Sequence, residues 1–231
     1  MTNEERLIPY FAELHGKVLS EDFLIDKTGV KVVELISPRI ELDPSQSFLD
    51  FGVRRTPLKY ALEEISWYDS QDLSVKDIGK QAKIWNHVCD ENGNVHSNYG
   101  YLIYSKELGS QYVSAIDELK RNKDSRRSCM IYNRPSMQWE YNLNGMSDFI
   151  CTYATQHFIR NGELVYVVYM RSNDAIFGFF NDFYWHCTVY ERMLKDLDGI
   201  KYGSLIWNSG SWHVYERHFE LLKQMVEEKI D

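Results

Sequence analysis

Hydrophobic positions along the chain follow helical spacing in some segments and form short β-branched or aromatic runs in others. The helical segments predict helices over residues 4–14, 57–68, 111–121, 175–197 and 219–229. The β-rich runs predict strands over residues 30–36, 128–132, 149–159, 164–170, 204–207 and 212–215. Because helices and strands are mixed without strict alternation, the pattern indicates an α+β fold.

The organisation of the chain is simple. It carries no low-complexity run, no glycine- and serine-rich linker and no internal repeat, so we expect a single domain over residues 1–231. No stretch approaches the roughly 18 consecutive apolar residues that a membrane helix needs. The acidic N-terminus lacks the apolar core of a signal peptide. These features predict a cytoplasmic protein whose 4 cysteines are reduced.

Charge and motifs narrow the possible ligands. The chain has 26 Lys+Arg against 34 Asp+Glu, a net charge of −8, which argues against a protein that coats nucleic acid. A small phosphorylated ligand in a local basic pocket stays possible. Phosphate-loop, dinucleotide-binding and zinc-protease motifs are missing, and the histidines do not pair with cysteines at ligand spacing, so we expect no metal centre.

Two basic clusters are candidates for binding phosphate. Asp124-Ser125-Arg126-Arg127 and Arg171-Ser172-Asn173-Asp174 each combine guanidinium groups with a hydroxyl. Guanidinium forks and hydroxyls donate charge-assisted hydrogen bonds to phosphate oxygens. Surface salt bridges are the alternative for either cluster alone.

Two further residues could do chemistry. Cys151 lies in a β-rich run one hairpin away from Arg171, whose charge would lower the pKa of the thiol and make it a nucleophile. The alternative is a buried, inert cysteine. Glu64 lies beside apolar residues of a predicted helix, so it is a candidate general acid or base, or else part of a solvated helix face.

These residues stand in an order that resembles the thymidylate synthases. Cys151, Gly162, the Arg171-to-Asp174 segment and Gly178 match the spacing between that family's nucleophilic cysteine and its phosphate motif. Segments 26–29, 64–67, 98–100, 124–127 and 210–215 agree in the same order. The resemblance implies the thymidylate synthase fold, a mixed sheet with surrounding helices, and a homodimer formed through the sheet. It also implies that Arg126 and Arg127 serve the partner's phosphate site, while Lys27, Arg171 and Ser172 serve their own.

The departures from the family pattern indicate a different base. Counted from Arg171, with Gly178 fixing the register, Asp182 stands where thymidylate synthases carry the asparagine that reads uracil. Thr152, Met170, Ser211 and Lys27 also differ from the family's usual residues. This set resembles the phage-type deoxycytidylate hydroxymethylases, a branch of the same family, as do segments 26–31, 134–138 and 145–149.

The chemistry of Asp182 supports this interpretation. Uracil presents an N3–H donor beside an O4 acceptor, which an amide side chain matches. Cytosine presents an N3 acceptor beside an N4 amino donor, so it needs the opposite order. A protonated carboxyl supplies that order, and a carboxylate can instead hold N4–H and a protonated N3. A helix-surface charge is the alternative.

The resemblance implies that the chain transfers the one-carbon unit of methylenetetrahydrofolate, its co-substrate, to C5 of dCMP and adds water. Cys151 is then the nucleophile, Glu64 moves protons and Asp182 reads the base. Tyr99 lies near the base, while His213 and Tyr215 hold the sugar hydroxyl. Trp85 and Asp174 are candidates for the folate side. The alternatives are dUMP hydroxymethylation, thymidylate synthesis and, in another class, a non-catalytic nucleotide-binding protein.

Overall fold

The computed structural model describes residues 1–27 and 29–230. The helices of this part are α1 (Asn3–Leu19), α2 (Leu58–Ser70), α3 (Ile78–Gln81), α4 (Ile84–Val88), α5 (Tyr99–Tyr104), α6 (Gln111–Arg121), α7 (Met137–Glu140), α8 (Gly178–Asp196) and α9 (Phe219–Ile230). Its strands are β1 (Leu24–Ile25), β2 (Lys31–Ile36), β3 (Arg39–Leu42), β4 (Cys129–Ile131), β5 (Thr152–Arg160), β6 (Glu163–Asp174) and β7 (Lys201–Tyr215). None of the described helices is long and apolar enough to cross a lipid bilayer.

One mixed sheet organises the fold. Its strands run in the order β1-β2-β7-β6-β5-β4, and β3 also pairs with β7. The pair β6 and β7 is parallel, while the other described pairs are antiparallel. A parallel pair needs a crossover connection, and α8 provides it between these two strands. The mixed sheet with surrounding helices confirms the predicted α+β class.

The two faces of the sheet differ in burial. Tyr166 and Val168 of β6 lie on a buried face, where α8 packs its aromatic side chains Phe179 and Phe183 against Trp207 of β7. The opposite face is mostly half-buried or exposed, although many of its side chains are apolar. We call it the open sheet face, and it carries Ala154, Gln156, Phe158, Val165, Val167, Tyr169, Ile206 and Asn208.

The two short strands predicted over 204–207 and 212–215 are wrong, because β7 runs unbroken from Lys201 to Tyr215. Residues 208–211, between the two predicted strands, stay extended because they are paired on both sides. Asn208 pairs with Arg39 and Tyr169, and Ser211 pairs with Ile36 and Ser172. Gly210 has a packing role instead. A Cβ atom there would lie 2.6 Å from the carbonyl oxygen of Arg171, so a glycine lets β6 and β7 approach.

The other predicted elements are confirmed with shifted ends. The strand predicted from residue 149 begins only at Thr152, so Cys151 lies just before β5 rather than within it. Helix α1 extends five residues beyond the predicted segment, to Leu19. The sequence analysis missed α3, α4, α5 and α7, because helices of four to six residues are too short for hydrophobic periodicity to reveal.

A close helix contact positions one wall of the site. Helix α5 approaches α2 so closely that a Cβ atom on Gly100 would lie 1.8 Å from the carbonyl oxygen of Tyr68. The glycine therefore permits the contact. It brings Tyr99 of α5 into stacking with Tyr68 of α2, at 5.3 Å between ring centroids and 17° between ring planes.

Candidate active site

A cavity of about 900 Å³ lies between α2, the short helices α3 and α4, and the start of α8. Its volume is that of a small-molecule site. Six of the sequence-predicted site residues line it: Glu64, Trp85, Tyr99, Cys151, Asp174 and Asp182. The fold therefore brings the three predicted catalytic residues and both predicted folate-side residues into one cavity.

Cys151 stands at the entrance to β5, where the backbone amide of Arg171 donates to its carbonyl oxygen at 2.6 Å. Nη2 of Arg171 lies 3.7 Å from the thiol sulfur. Burial nevertheless raises the pKa of the thiol to about 11, since it outweighs the opposing charge of Arg171. Arg171 therefore acts in the predicted direction, but burial outweighs it, and the thiol of the single chain is neutral at neutral pH.

Arg171 is held so that its charge stays beside the sulfur. Its Nη2 also donates to the carbonyl oxygen of Phe149 at 3.1 Å. The guanidinium group stacks over the Phe149 ring at 4.7 Å. These contacts leave Arg171 half-buried at the end of β6, with Ser172 next to it.

Glu64 is buried on α2, with 6% of its surface exposed, so it does not belong to a solvated helix face. The hydroxyl of Tyr60, one helical turn earlier, donates to Oε1 of Glu64 at 2.6 Å. The indole Nε1 of Trp85 in turn donates to the Tyr60 oxygen at 2.9 Å. Burial raises the pKa of Glu64 to about 7, although the Tyr60 hydrogen bond acts in the opposite direction. Glu64 can therefore gain or lose a proton at neutral pH.

Asp182 lies in the first turns of α8, facing the same cavity. The amide Nδ2 of Asn173 donates to its Oδ2 at 2.7 Å. Burial, and then the negative charge of Glu64, raise the pKa of Asp182 to about 8. A carboxyl that is largely protonated at neutral pH has one donor and one acceptor to offer a ligand.

The two predicted folate-side residues are held by different contacts. The Trp85 ring packs on Trp67 with 4.9 Å between centroids. Oδ1 of Asp174 accepts hydrogen bonds from the amides of Ile176 and Phe177 at 2.9 and 3.0 Å, and so fixes the turn into α8.

The residues predicted to hold the sugar lie beside the cavity rather than on its wall. His213 of β7 pairs with Asp174 of β6, and its ring meets the ring of Tyr215 edge-on at 5.0 Å. Burial lowers the pKa of His213, so its imidazole is neutral at neutral pH. Pairing of Ser172 with Ser211 places Arg171, Ser172, His213 and Tyr215 on two adjacent strands.

Three of the predicted phosphate ligands are exposed and do not line the cavity. Lys27 is exposed on the turn after β1, next to residue 28, which lies outside the described residues. Arg126 and Arg127 are exposed just before β4, which is the edge strand at the opposite end of the sheet from β1. There Nε of Arg127 donates to Oε1 of Glu118 at 3.2 Å.

Sequence analysis missed several residues that build the cavity. Tyr60 stands four positions before Glu64, and this helical spacing is a signal that could have revealed it. Asn173 lies inside the Arg-Ser-Asn-Asp segment but was given no role. Arg54 had no signal: its guanidinium group stacks over Phe177 and Phe180 at 4.6 and 4.8 Å, which only the fold brings together.

The fold and this arrangement define a family. A model of the thymidylate synthase family matches residues 10–231. The chain therefore belongs to the thymidylate synthase family, as the resemblance in its motifs predicted.

Individual relatives give a finer comparison. The chain is 46% identical to the deoxycytidylate 5-hydroxymethyltransferase of Enterobacteria phage T4 over 215 residues, which cover 90% of this chain and 85% of that protein. The same figures hold for the corresponding protein of Enterobacteria phage T2. Thymidylate synthase of Bacillus subtilis subsp. natto is 30% identical over 216 residues, covering 89% of this chain and 75% of that protein.

The raised pKa of Asp182 predicts an effect on stability. Between its ordinary pKa of 3.8 and about 8, the carboxyl is ionised in the unfolded chain but protonated in the folded one. Unfolding then releases a proton, so stability falls as pH rises through this window. Asp182→Asn cannot ionise, so it should gain stability over the wild type by up to about 1.4 kcal/mol per pH unit. Urea unfolding at several pH values between 4 and 8 measures this difference.

Asp43→Asn is the matched control with the opposite sign. Although burial acts against it, hydrogen bonds from Ser45 and Gln46 lower the pKa of Asp43. That carboxylate adds stability above its unfolded pKa, so its amide variant should be less stable than the wild type at neutral pH. A pH-independent difference between Asp182→Asn and the wild type would show that Asp182 ionises normally.

Proposed function

We propose that the chain is a deoxycytidylate 5-hydroxymethyltransferase. It replaces the C5 hydrogen of dCMP with a hydroxymethyl group, whose carbon comes from methylenetetrahydrofolate and whose oxygen comes from water. The observation that carries the proposal is the Asp182 carboxyl, held by Asn173 in the same cavity as Cys151 and Glu64, where desolvation raises its pKa to about 8. The identity to the phage T4 and T2 proteins supports it.

Asp182 selects the base in this proposal. Its protonated oxygen donates to N3 of cytosine and its other oxygen accepts from the N4 amino group, an order that uracil cannot satisfy. Asn173 holds the carboxyl by donating to Oδ2. A wrongly paired base leaves buried polar groups without partners, which excludes dUMP.

The residues present also fit a reduced folate. The cavity lining includes the apolar and aromatic side chains Trp85, Ile84, Val88 and Phe177, which suit a flat ring system. Arg54 lines the same cavity, and its buried Nη2 has no partner among the described residues, so it can bind a carboxylate of the glutamate tail. Bound there, methylenetetrahydrofolate supplies a one-carbon unit at the oxidation level of formaldehyde.

Cys151 activates the pyrimidine. C5 of cytosine is a poor nucleophile until a sulfur adds at C6 and converts the ring to an enamine. The neutral thiol must lose its proton as the sulfur adds. Arg171, 3.7 Å from the sulfur, stabilises the charge that develops.

Glu64 moves the remaining protons. With a pKa of about 7, its carboxyl can accept the proton that leaves C5 and orient the water that supplies the hydroxyl. Departure of Cys151 from C6 then restores the aromatic ring. Arg171, Ser172 and Lys27 bind the phosphate, while His213 and Tyr215 bind the sugar hydroxyl beside Asp174. Tyr99, at the cavity wall, lies against the base.

A second copy of the chain completes the phosphate site. The open sheet face carries apolar side chains that are only half-buried in one chain, as expected of a surface covered by a partner. Gln156 on that face donates to the carbonyl oxygen of Arg126 at 2.9 Å, so the arginine segment borders it. A homodimer through this face lets Arg126 and Arg127 reach the partner's site.

The proposal extends to the whole chain and its surroundings. Residues 1–231 form one catalytic domain, and the phage relatives suggest that it works in the cytoplasm of a host cell on free nucleotides. It needs neither nucleic acid nor membrane as a partner.

Asp182→Asn tests the base assignment. The variant should shift preference from dCMP toward dUMP, because an amide matches the uracil edge. The unpartnered Oδ1 of Asn173 lets that amide turn over and hold the new side chain. Each mispaired buried hydrogen bond costs about 1–3 kcal/mol, so the ratio of kcat/KM for the two nucleotides should change by several orders of magnitude.

Asp196→Asn is the control, since Asp196 lies at the other end of α8 and accepts a hydrogen bond from the Tyr112 hydroxyl. It should keep the wild-type ratio. If the wild type prefers dUMP, or if Asp182→Asn keeps the preference for dCMP, the cytosine assignment fails.

Subunit mixing tests the shared phosphate site. Cys151→Ser and Arg126→Ala chains should each be nearly inactive alone. Their heterodimer has one site with both an intact cysteine and an intact partner arginine, so a random mixture should regain about a quarter of the wild-type activity. Steady-state assays after subunit exchange measure this.

Cys151→Ser mixed with Glu64→Gln is the matched control. Both residues line the cavity of the same chain, so every site in that heterodimer carries a defect. No recovery is expected from this mixture. If Cys151→Ser with Arg126→Ala also recovers nothing despite demonstrated exchange, Arg126 does not act across the dimer.

A further inference from the structure

Trp85, Tyr60 and Glu64 form a chain of hydrogen bonds along one wall of the cavity. Trp85 Nε1 donates to the Tyr60 oxygen at 2.9 Å, and the Tyr60 hydroxyl donates to Oε1 of Glu64 at 2.6 Å. An indole nitrogen can only donate, so the Tyr60 oxygen must accept from Trp85. The one hydroxyl proton of Tyr60 then points at Glu64, so each hydrogen bond in this series is donated in the direction from Trp85 to Glu64.

This polarity distinguishes the two oxygens of Glu64. Oε1 accepts from Tyr60 in both protonation states, because a proton on Oε1 in the same hydrogen bond would face the Tyr60 proton. The proton that Glu64 gains or loses therefore resides on Oε2. We propose that Tyr60 is the positioning residue for Glu64, which it orients and makes more acidic within the reaction proposed above, on which this inference rests.

Helix geometry makes the contact rigid. Tyr60 and Glu64 are four residues apart on α2, on the same face of the helix. Trp85 comes from α4 and packs against Trp67, also on α2. These hydrogen bonds thus link Trp85, the residue proposed to contact folate, to the Glu64 carboxyl. A shift of the Trp85 indole therefore alters the hydrogen bond that Glu64 accepts.

Other ionisable groups share the cavity with Glu64. The acidic ones are Asp182 and Asp174 at the start of α8, and Asp148 and Cys151 before β5. The basic ones are Arg54, Arg217 and His218. The phenols of Tyr68 and Tyr99 complete the set. Among the described side chains, Tyr60 is the one seen to donate a hydrogen bond to Glu64, so its removal changes Glu64 most directly.

Tyr60→Phe tests the proposal, because it removes one oxygen and keeps the ring. The assay is the pH dependence of kcat for hydroxymethyl-dCMP formation. The limb that belongs to Glu64 is the one whose midpoint in the wild type lies near its pKa of about 7. Loss of the hydrogen bond to the carboxylate should move this limb to higher pH by about one unit, a tenfold change in the proton equilibrium. The KM for dCMP should change less than threefold.

Two further variants complete the design. Tyr10→Phe is the matched control, because the Tyr10 hydroxyl donates to the carbonyl oxygen of Arg39 away from the cavity, and its profile should equal that of the wild type. Trp85→Phe removes the first donor and should move the same limb in the same direction by less. It carries the test if Tyr60→Phe does not fold.

The outcomes separate this inference from the proposed function. A slower Tyr60→Phe enzyme with an unchanged limb would overturn the positioning role and leave the reaction assignment intact. A wild type that makes no hydroxymethyl-dCMP would refute the reaction itself. A Glu64 limb of the kcat pH profile that moves to higher pH in Tyr60→Phe and keeps its wild-type position in Tyr10→Phe supports the inference.

Discussion

Desolvation of three ionisable side chains around one cavity sets the chemistry proposed for this protein. Cys151, Glu64 and Asp182 are all ionisable, and burial raises the pKa of each. The effect differs in size because the partners differ: Arg171 beside the thiol, Tyr60 on Glu64 and Asn173 on Asp182. At neutral pH the Cys151 thiol is therefore neutral, the pKa of Glu64 is about 7, and the Asp182 carboxyl can donate a hydrogen bond. The two carboxyl states suit the proposed proton transfer and cytosine reading, whereas the proposed activation of cytosine requires the thiol to lose its proton.

The sheet holds these groups in place through one unusual pair of strands. Parallel pairing of β6 with β7 places the predicted phosphate motif and the side chains proposed to bind the sugar on adjacent strands. The turn from Asp174 into α8 then directs Asp182 back toward the cavity, and Gly210 allows the two strands to approach. A substitution that separates these strands should therefore affect phosphate, sugar and base contacts together.

Sequence reasoning identified candidate residues that line one cavity better than it identified their surroundings. Cys151, Glu64 and Asp182 were identified because residue type, motif spacing and base chemistry point to them. Arg54, Asn173 and Tyr60 were missed because their roles arise from contacts between elements or across one helical turn. The thiol pKa was misjudged because sequence shows the neighbouring charge but not the burial that outweighs it. The single strand over residues 201–215 was predicted as two short strands because pairing on both sides, which keeps residues 208–211 extended, is not visible in the local sequence. Lys27, Arg126 and Arg127 are exposed outside the cavity, so their role in binding phosphate stays a prediction.

The central claim is that the pyrimidine is cytosine and that water completes the reaction. The most direct measurement incubates the wild-type protein with dCMP and methylenetetrahydrofolate in water labelled with the heavy oxygen isotope, followed by mass spectrometry of the nucleotide. We predict 5-hydroxymethyl-dCMP that carries the heavy oxygen, with tetrahydrofolate as the other product. A methylated nucleotide accompanied by dihydrofolate, or conversion of dUMP in preference to dCMP, would contradict the account.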